Sequence, residues 1–157
     1  MGSTTTNGLP YPTGDDRVMD GDNAIQALAE ALDPPWTPLT LAAGIIQQDT
    51  LAPSCRKIAG QVFLRGHLTK QSGGNFVGPD ALFTVPAGFR PVNTASVGHS
   101  QDGSPQTGRT DITPTGAAQM FPSGSSSTKW VSLDGMSYNQ TGGTMLADDE
   151  PEAKPAE

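Results

Sequence analysis

The chain has 157 residues, a formal net charge of -7, 16% charged residues and 34% hydrophobic residues. Its 19 glycines and 14 prolines require frequent turns, which favours a thin-cored all-β protein over a catalytic α/β domain. No cluster of Lys and Arg marks a nucleic-acid surface. The single Cys55 can form neither an intrachain disulfide nor a cysteine-based metal cluster.

The negative charge lies at the two ends of the chain. Residues 1–35 carry six acidic residues and one Arg, and residues 147–157 carry five acidic residues and one Lys. The middle, residues 36–146, carries seven basic against five acidic residues. The first residues lack the basic and apolar regions of a signal peptide, and no apolar run reaches the roughly 20 residues that span a bilayer. We expect a soluble chain made in a cytoplasm, with no nucleic-acid partner and no membrane insertion.

Residues 1–19 are polar and contain several glycines and prolines, and we predict an extended N-terminal arm. Its apolar patch consists of Leu9, Pro10, Tyr11 and Pro12. The two prolines push the residues before them toward extended conformations. We interpret the arm as a segment that lies along another surface, with these four residues as its attachment residues.

Residues 20–35 contain the one convincing helix, predicted at residues 22–33. Asp20 or Asp22 can cap its first turn, and two consecutive prolines, at positions 34 and 35, end it. Twelve residues span only about 18 Å. Because so short a helix is marginal alone in water, its apolar side must pack on something.

The apolar stripe of this helix consists of Ile25, Leu28 and Leu32, at helical spacing. It can pack against its own domain. It can also associate with other copies around an axis, with Ile25 and Leu32 at heptad position a and Leu28 at d. We assign the three residues to oligomerisation.

From residue 36 to residue 146 the hydrophobic pattern changes to period 2, and short apolar segments alternate with turns rich in Gly, Pro, Ser and Asn. This pattern predicts a mainly β head, an antiparallel and jelly-roll-like β-sandwich. Val62, Leu64 and Leu68 share one face of a strand. Residues 147–157 cannot build a core and are predicted to be a flexible acidic tail. The predicted strands are 39–41, 55–59, 62–69, 81–85, 95–98, 110–113, 117–121, 129–133 and 136–138.

We predict no enzyme, no metal site and no cofactor. His99 and Ser100 lie in a segment that superficially matches a nucleophile elbow, but Asp102 occupies the place of the final Gly and no helix follows. His67 lies in mid-strand without a second His two residues away, which favours an outward-facing or hydrogen-bonded residue over a metal ligand.

Two parts of the sequence resemble structural proteins of tailed bacteriophages. Residues 8–18 (GLPYPTGDDRV) and 20–30 (DGDNAIQALAE) are similar to the opening of small tail-fibre and minor structural proteins. Residues 57–66 (KIAGQVFLRG), 82–91 (LFTVPAGFRP) and 131–138 (VSLDGMSY) are, in that order, similar to the terminal β-domains of phage fibres and receptor-binding proteins. The resemblance implies a homotrimeric virion component with an N-terminal attachment or trimerisation element and a β-rich head, assembled in the host cytoplasm with other phage structural proteins.

The resemblance leads to two hypotheses of function. The first is a short trimeric fibre or spike of the minor-tail or receptor-binding type, which mediates host-surface adsorption and has a cell-surface glycan as its candidate ligand. It is short because helix and head are nearly adjacent, whereas family members usually carry fibre repeats between them. The second is a capsid decoration or head-fibre protein without receptor binding.

Under the first hypothesis, the polar loops 98–109 and 122–129 are where a sandwich places recognition residues. The candidate host-binding residues are His99, Asp102, Arg109 and Trp130. The aromatic faces of Trp130 and Tyr138 suit sugar rings.

Overall fold

A computed structural model describes residues 2–3, 10–11, 21–102, 107–123 and 128–140. These ranges contain one α-helix, fourteen β-strands and a short 3-10 turn at Ala87–Phe89. The helix is α1 (Gly21–Leu32). The strands are β1 (Gly2–Ser3), β2 (Pro10–Tyr11), β3 (Thr37–Pro38), β4 (Thr40–Leu41), β5 (Ile45–Gln47), β6 (Ser54–Ile58), β7 (Gln61–Arg65), β8 (His67–Lys70), β9 (Asp80–Thr84), β10 (Ala95–Gln101), β11 (Thr107–Ile112), β12 (Ala117–Phe121), β13 (Trp130–Ser132) and β14 (Ser137–Asn139).

The strands of the head form two sheets. The larger sheet has eight strands in the order β4-β9-β12-β11-β10-β13-β8-β5, and the smaller has four in the order β14-β7-β6-β3. Each neighbouring pair is antiparallel, as is the separate pair of β1 and β2. The prediction of a mainly β, antiparallel sandwich with one short helix is confirmed.

The core lies between the two sheets and is filled by alternate residues of the strands. In β7, Val62 and Leu64 are buried while their neighbours point away. Leu68 of β8 and Val131 of β13 face them from the larger sheet and are fully buried. Burying side chains of this kind contributes about 1.5–3 kcal/mol each. Positions 62, 64 and 68 are therefore all buried as predicted, but they do not share one strand face, because Leu68 lies in the opposite sheet.

The chain passes from the smaller to the larger sheet at Gly66, within what the alternation predicted as one strand over 62–69. Gly66 has φ +109°, and a Cβ at this position would lie 2.9 Å from Cα of Pro53. Its N–H donates to Oδ1 of Asp134 at 2.8 Å, and its carbonyl accepts from the N–H of Leu133 at 2.8 Å. Only Gly fits this corner, which ties β7 and β8 to the turn between β13 and β14.

Two further differences from the predicted strands affect the candidate site. The strand β5 was not predicted, because only Ile45 and Ile46 precede a polar stretch. The strand β10 continues to Gln101, so the segment predicted as a loop from residue 98 begins as an ordered strand. The cause is burial of His99 and Gln101, polar side chains that occupy inward positions normally filled by apolar ones.

The helix α1 begins and ends one residue earlier than predicted. Its small residue Ala24 is only 2% exposed, and the helix packs on β2. Leu28 is half-buried, whereas Ile25 is 67% and Leu32 48% exposed. The subunit itself therefore leaves most of the predicted stripe uncovered. Among the described residues, no helix has the length and apolar character needed to cross a membrane.

The junction between α1 and the head is built around Trp36. The guanidinium carbons of Arg56 and Arg65 lie 4.6 and 4.1 Å from the centre of its ring system. Arg56 also forms an ion pair with Asp33 at 2.9 Å, directly after the helix. Each cation–π contact contributes on the order of 1 kcal/mol at such partly buried positions. The junction therefore connects the end of the helix to β6 and β7.

Several sequence predictions fall outside the described residues. These are the attachment residues Leu9 and Pro12, the capping residue Asp20 and the acidic tail at 147–157. The proposed division of the chain at 19/20, 35/36 and 146/147 stays a prediction.

Candidate functional site

An open cleft of about 380 Å³ lies on the outer face of the eight-stranded sheet, next to its β5 edge. It is lined by Gln48, Asp49, His67 and Trp130. These residues come from β8, β13 and the segment that follows β5, so three separate parts of the sequence meet at one edge of the sheet.

The strand register explains why these side chains share a face. Leu68 and Val131 are opposite each other and point into the core. Side chains alternate along a strand, so the adjacent His67 and Trp130 point outward. The N–H of Gln48 donates to the carbonyl of His67 at 2.9 Å, which brings the end of β5 alongside β8.

The imidazole of His67 lies between two carboxylates. Its Nδ1 is 2.6 Å from Oδ2 of Asp49, and its Nε2 is 3.6 Å from Oδ2 of Asp134. The ring also meets the indole of Trp130 at a centroid distance of 5.7 Å and an angle of 61°, an edge-to-face arrangement. The orientation of His67 is therefore defined on three sides.

The carboxylate of Asp49 is held by two donors. The hydrogen bond with His67 is the main reason why the pKa of Asp49 lies below its usual value. Partial burial raises this pKa, and a hydrogen bond from the N–H of Leu51 to Oδ1, at 3.0 Å, lowers it again. Asp49 is therefore ionised at neutral pH and remains an acceptor.

The arrangement suits non-covalent recognition of a polar ligand. Asp49 accepts hydrogen bonds, the Gln48 amide both donates and accepts, and Trp130 offers an aromatic surface. Ligand sites commonly combine an aromatic wall with a few polar groups in this way. In the ranges the structure describes, no three side chains of His, Cys, Asp or Glu come together to hold a metal ion.

The structure brings together two of the four candidate host-binding residues. Trp130 lines the cleft, and Asp102 is its neighbour because the N–H of Asp102 donates to the Trp130 carbonyl at 3.2 Å. Arg109 lies elsewhere on the sheet, in β11. Its Nε is 3.0 Å from Oδ1 of Asp111, and its guanidinium lies 4.6 Å from the ring centre of Phe121.

The fourth candidate, His99, is an interior residue. It is 3% exposed, and its Nδ1 lies 2.8 Å from Oγ1 of Thr110. Its Nε2 is buried without a hydrogen-bond partner among the described residues. Burial lowers the pKa of His99, and the Gln101 amide only partly opposes this shift. Its position corrects the view of His99 as a direct contact with a host.

Tyr138 is also interior, at 6% exposure, so its ring does not suit stacking on a sugar.

The sequence reasoning missed Gln48, Asp49 and the role of His67. The alternation in residues 62–69 did place His67 on the outward face. Nothing in the sequence indicated that β13 pairs with β8, or that β5 completes this edge, because these pairings join distant segments. Without the pairings, His67 and Trp130 appeared as isolated residues.

The fold is similar to that of known phage proteins. The receptor binding protein (gp15) of Listeria phage PSA aligns with a TM-score of 0.55 and 15% identity, over 83% of this chain and 89% of that one. The head domain of lactococcal phage bIL170 aligns with a TM-score of 0.48 and 21% identity, over 69% of this chain and 100% of that one. At 15% identity, the likeness to the Listeria phage protein concerns the fold alone. No protein-family model and no curated protein matches the sequence.

Proposed function

We propose that this protein is a short fibre or spike of a tailed-phage virion, whose β-sandwich head binds a glycan of the host surface in the cleft beside Trp130. The observation that carries the proposal is the grouping of Trp130, Asp49, His67 and Gln48 in one open cleft. The fold shared with a phage receptor-binding protein supports it, as does the order of the phage-like segments along the sequence.

The chemistry of the cleft fits a sugar. One face of a sugar ring carries C–H groups that pack on an aromatic side chain, and its hydroxyl groups need donors and acceptors at the rim. Trp130 supplies the first kind of contact, and Asp49 with Gln48 the second. Because the cleft is open, a unit within a longer glycan chain can enter it without its neighbours being buried.

The N-terminal part of the chain has features that suit association with other copies and with the phage particle. Ile25 and Leu32 are exposed on α1, and three parallel helices around an axis would cover them. Tyr11, in the predicted attachment patch, is 46% exposed next to the helix and remains accessible to a partner on the particle. We therefore place residues 1–35 toward the virion and the head toward the host.

The receptor role is tested by competition. Host cells are pre-incubated with purified protein and then challenged with the phage, and free phage is counted. We expect saturating wild-type protein to reduce adsorption and Trp130→Ala to do so far less. Val92→Ala, which shortens an exposed apolar residue elsewhere on the surface, is the matched control. Unchanged adsorption at saturating wild-type protein would contradict the receptor role.

The location on the virion needs a separate test. Electron cryo-microscopy of the particle should show density of this fold at the tail. Density on the capsid surface instead would contradict the tail position and favour a decoration protein.

A further inference from the structure

We infer that the cleft selects a sugar with a free amine, so that a protonated amino sugar binds more tightly than its neutral N-acetylated or anionic counterparts. This inference rests on the proposed function, since it names the class of glycan that the same cleft would take. It follows from the charge around His67, the unused acceptor atoms there and the adjacent indole ring.

The side chains that meet at His67 carry a net negative charge in either protonation state of the imidazole. Asp49 and Asp134 both contact His67, so two carboxylates face one imidazole. A protonated imidazole would set one positive charge against these two negative ones, so the three side chains together carry negative charge with or without that proton. A phosphorylated or uronic sugar would therefore meet repulsion, and an ammonium group attraction.

The carboxylates have acceptor capacity left for a ligand. Oδ1 of Asp134 accepts from the N–H of Gly66 at 2.8 Å. Its Oδ2 lies 3.6 Å from Nε2 of His67, too far away for a hydrogen bond, and accepts none from the residues that the structure describes. The side chains of Asp49 and Asp134 are 39% and 49% exposed, so a ligand can reach both.

The indole of Trp130 adds a second reason to prefer a cation. Tryptophan is the side chain whose ring face attracts cations most strongly, within about 6 Å of its centre. An ammonium group is small, donates three hydrogen bonds and can contact a carboxylate and the indole together. A neutral acetamido group at the same position donates only one hydrogen bond and has no charge.

The test compares two ligands that differ only at nitrogen. Isothermal titration calorimetry measures binding of the β-1,4-linked glucosamine trimer and of the N-acetylglucosamine trimer to the full chain. We expect the amine form to bind about tenfold more tightly, a ratio that corresponds to one charge-assisted contact. The ratio should fall as salt is added, because the carboxylates are solvent-exposed.

Two variants locate the effect. Asp49→Asn and Asp134→Asn each keep an oxygen that can accept a hydrogen bond but remove the charge, and both should reduce the ratio. The matched control is Glu30→Gln on α1, which removes one negative charge away from the cleft. A preserved thermal unfolding midpoint shows that a variant is still folded.

Each outcome separates this inference from the proposed function. Equal binding of the two trimers would overturn the amine preference, while a glycan site would stand. A preference that survives both aspartate variants would overturn the assignment to this cleft. If neither trimer binds but the protein still blocks phage adsorption, the inference fails and the receptor role does not.

Discussion

The hydroxyl of Tyr138 donates a hydrogen bond of 2.6 Å to the main-chain carbonyl of Phe89. The preceding carbonyl, of Gly88, accepts from Nζ of Lys57 at 3.2 Å and from Nε2 of Gln140 at 2.8 Å. The turn around residue 88 is thus fastened to the smaller sheet. The segments 57–66, 82–91 and 131–138, which carry the resemblance to phage fibre heads, all contribute a residue here. These three segments therefore meet at one point of the fold.

Tyr138→Phe tests this contact. The change leaves the ring in the core but removes the donor to the Phe89 carbonyl. We expect the free energy of unfolding to fall by about 1–3 kcal/mol, the usual effect of leaving a buried polar group without its partner. Urea denaturation followed by fluorescence measures it. Tyr11→Phe, at the only other tyrosine and an exposed one, is the control and should change stability little. Equal stability of Tyr138→Phe and wild type would contradict the role of this bond.

Gly66→Ala tests the corner at which the chain changes sheets. At φ +109° an alanine is strained, and its Cβ would meet the backbone of Pro53. Gly44→Ala is the control, since Gly44 has φ +79° but nothing within 4 Å of the added Cβ. We expect Gly44→Ala to cost about 1 kcal/mol and Gly66→Ala at least about 2 kcal/mol more. Similar unfolding midpoints for the two variants would show that the contact with Pro53 relaxes easily.

The sequence was sufficient for the features that depend on local patterns. The alternation at positions 62, 64 and 68 indicated that these side chains are buried. The prolines at 34 and 35 indicated the end of α1. The passage of the chain from one sheet to the other at Gly66 could not be predicted from the sequence. A strand that crosses between sheets keeps the same alternation, because the corner residue itself takes an inward position.

The candidate site could be predicted only in part, because it depends on pairings between distant segments. Trp130 was identified from its aromatic character alone, whereas Asp49 acquires its role only when β5 lies beside β8. His99 shows the opposite case. A polar residue in a polar stretch suggested an exposed loop, but Thr110 on the neighbouring strand provides a buried partner for its Nδ1.

The burial of His99 predicts how stability depends on pH. Because burial lowers the pKa of His99 below the usual 6.5, the unfolded chain takes up a proton at higher pH than the folded protein. This contribution to stability is present above pH 6.5 and is lost as the pH falls from there toward the lower pKa of the folded state. NMR titration should place the midpoint of the His99 imidazole below 6.5. His99→Gln should weaken the loss of stability between neutral and mildly acidic pH, and a midpoint at or above 6.5 would contradict the prediction.

The exposure of the apolar stripe on α1 shows which of its residues best tests association between copies of the chain. Leu28 is half-buried within its own subunit, so a charge there would disturb the packing of α1 on β2 as well as any association. Ile25 is 67% exposed, and a charge there affects only contacts with other copies. We expect Ile25→Asp to lower the mass measured by light scattering from that of an oligomer to the 16.2 kDa of one chain, without changing the unfolding midpoint of the head.

Asn23→Asp is the control: it adds the same charge at an exposed position on the opposite side of the helix, and should leave the mass unchanged. An oligomer that persists in Ile25→Asp would mean that the β-sandwich, rather than the helix, holds the copies together.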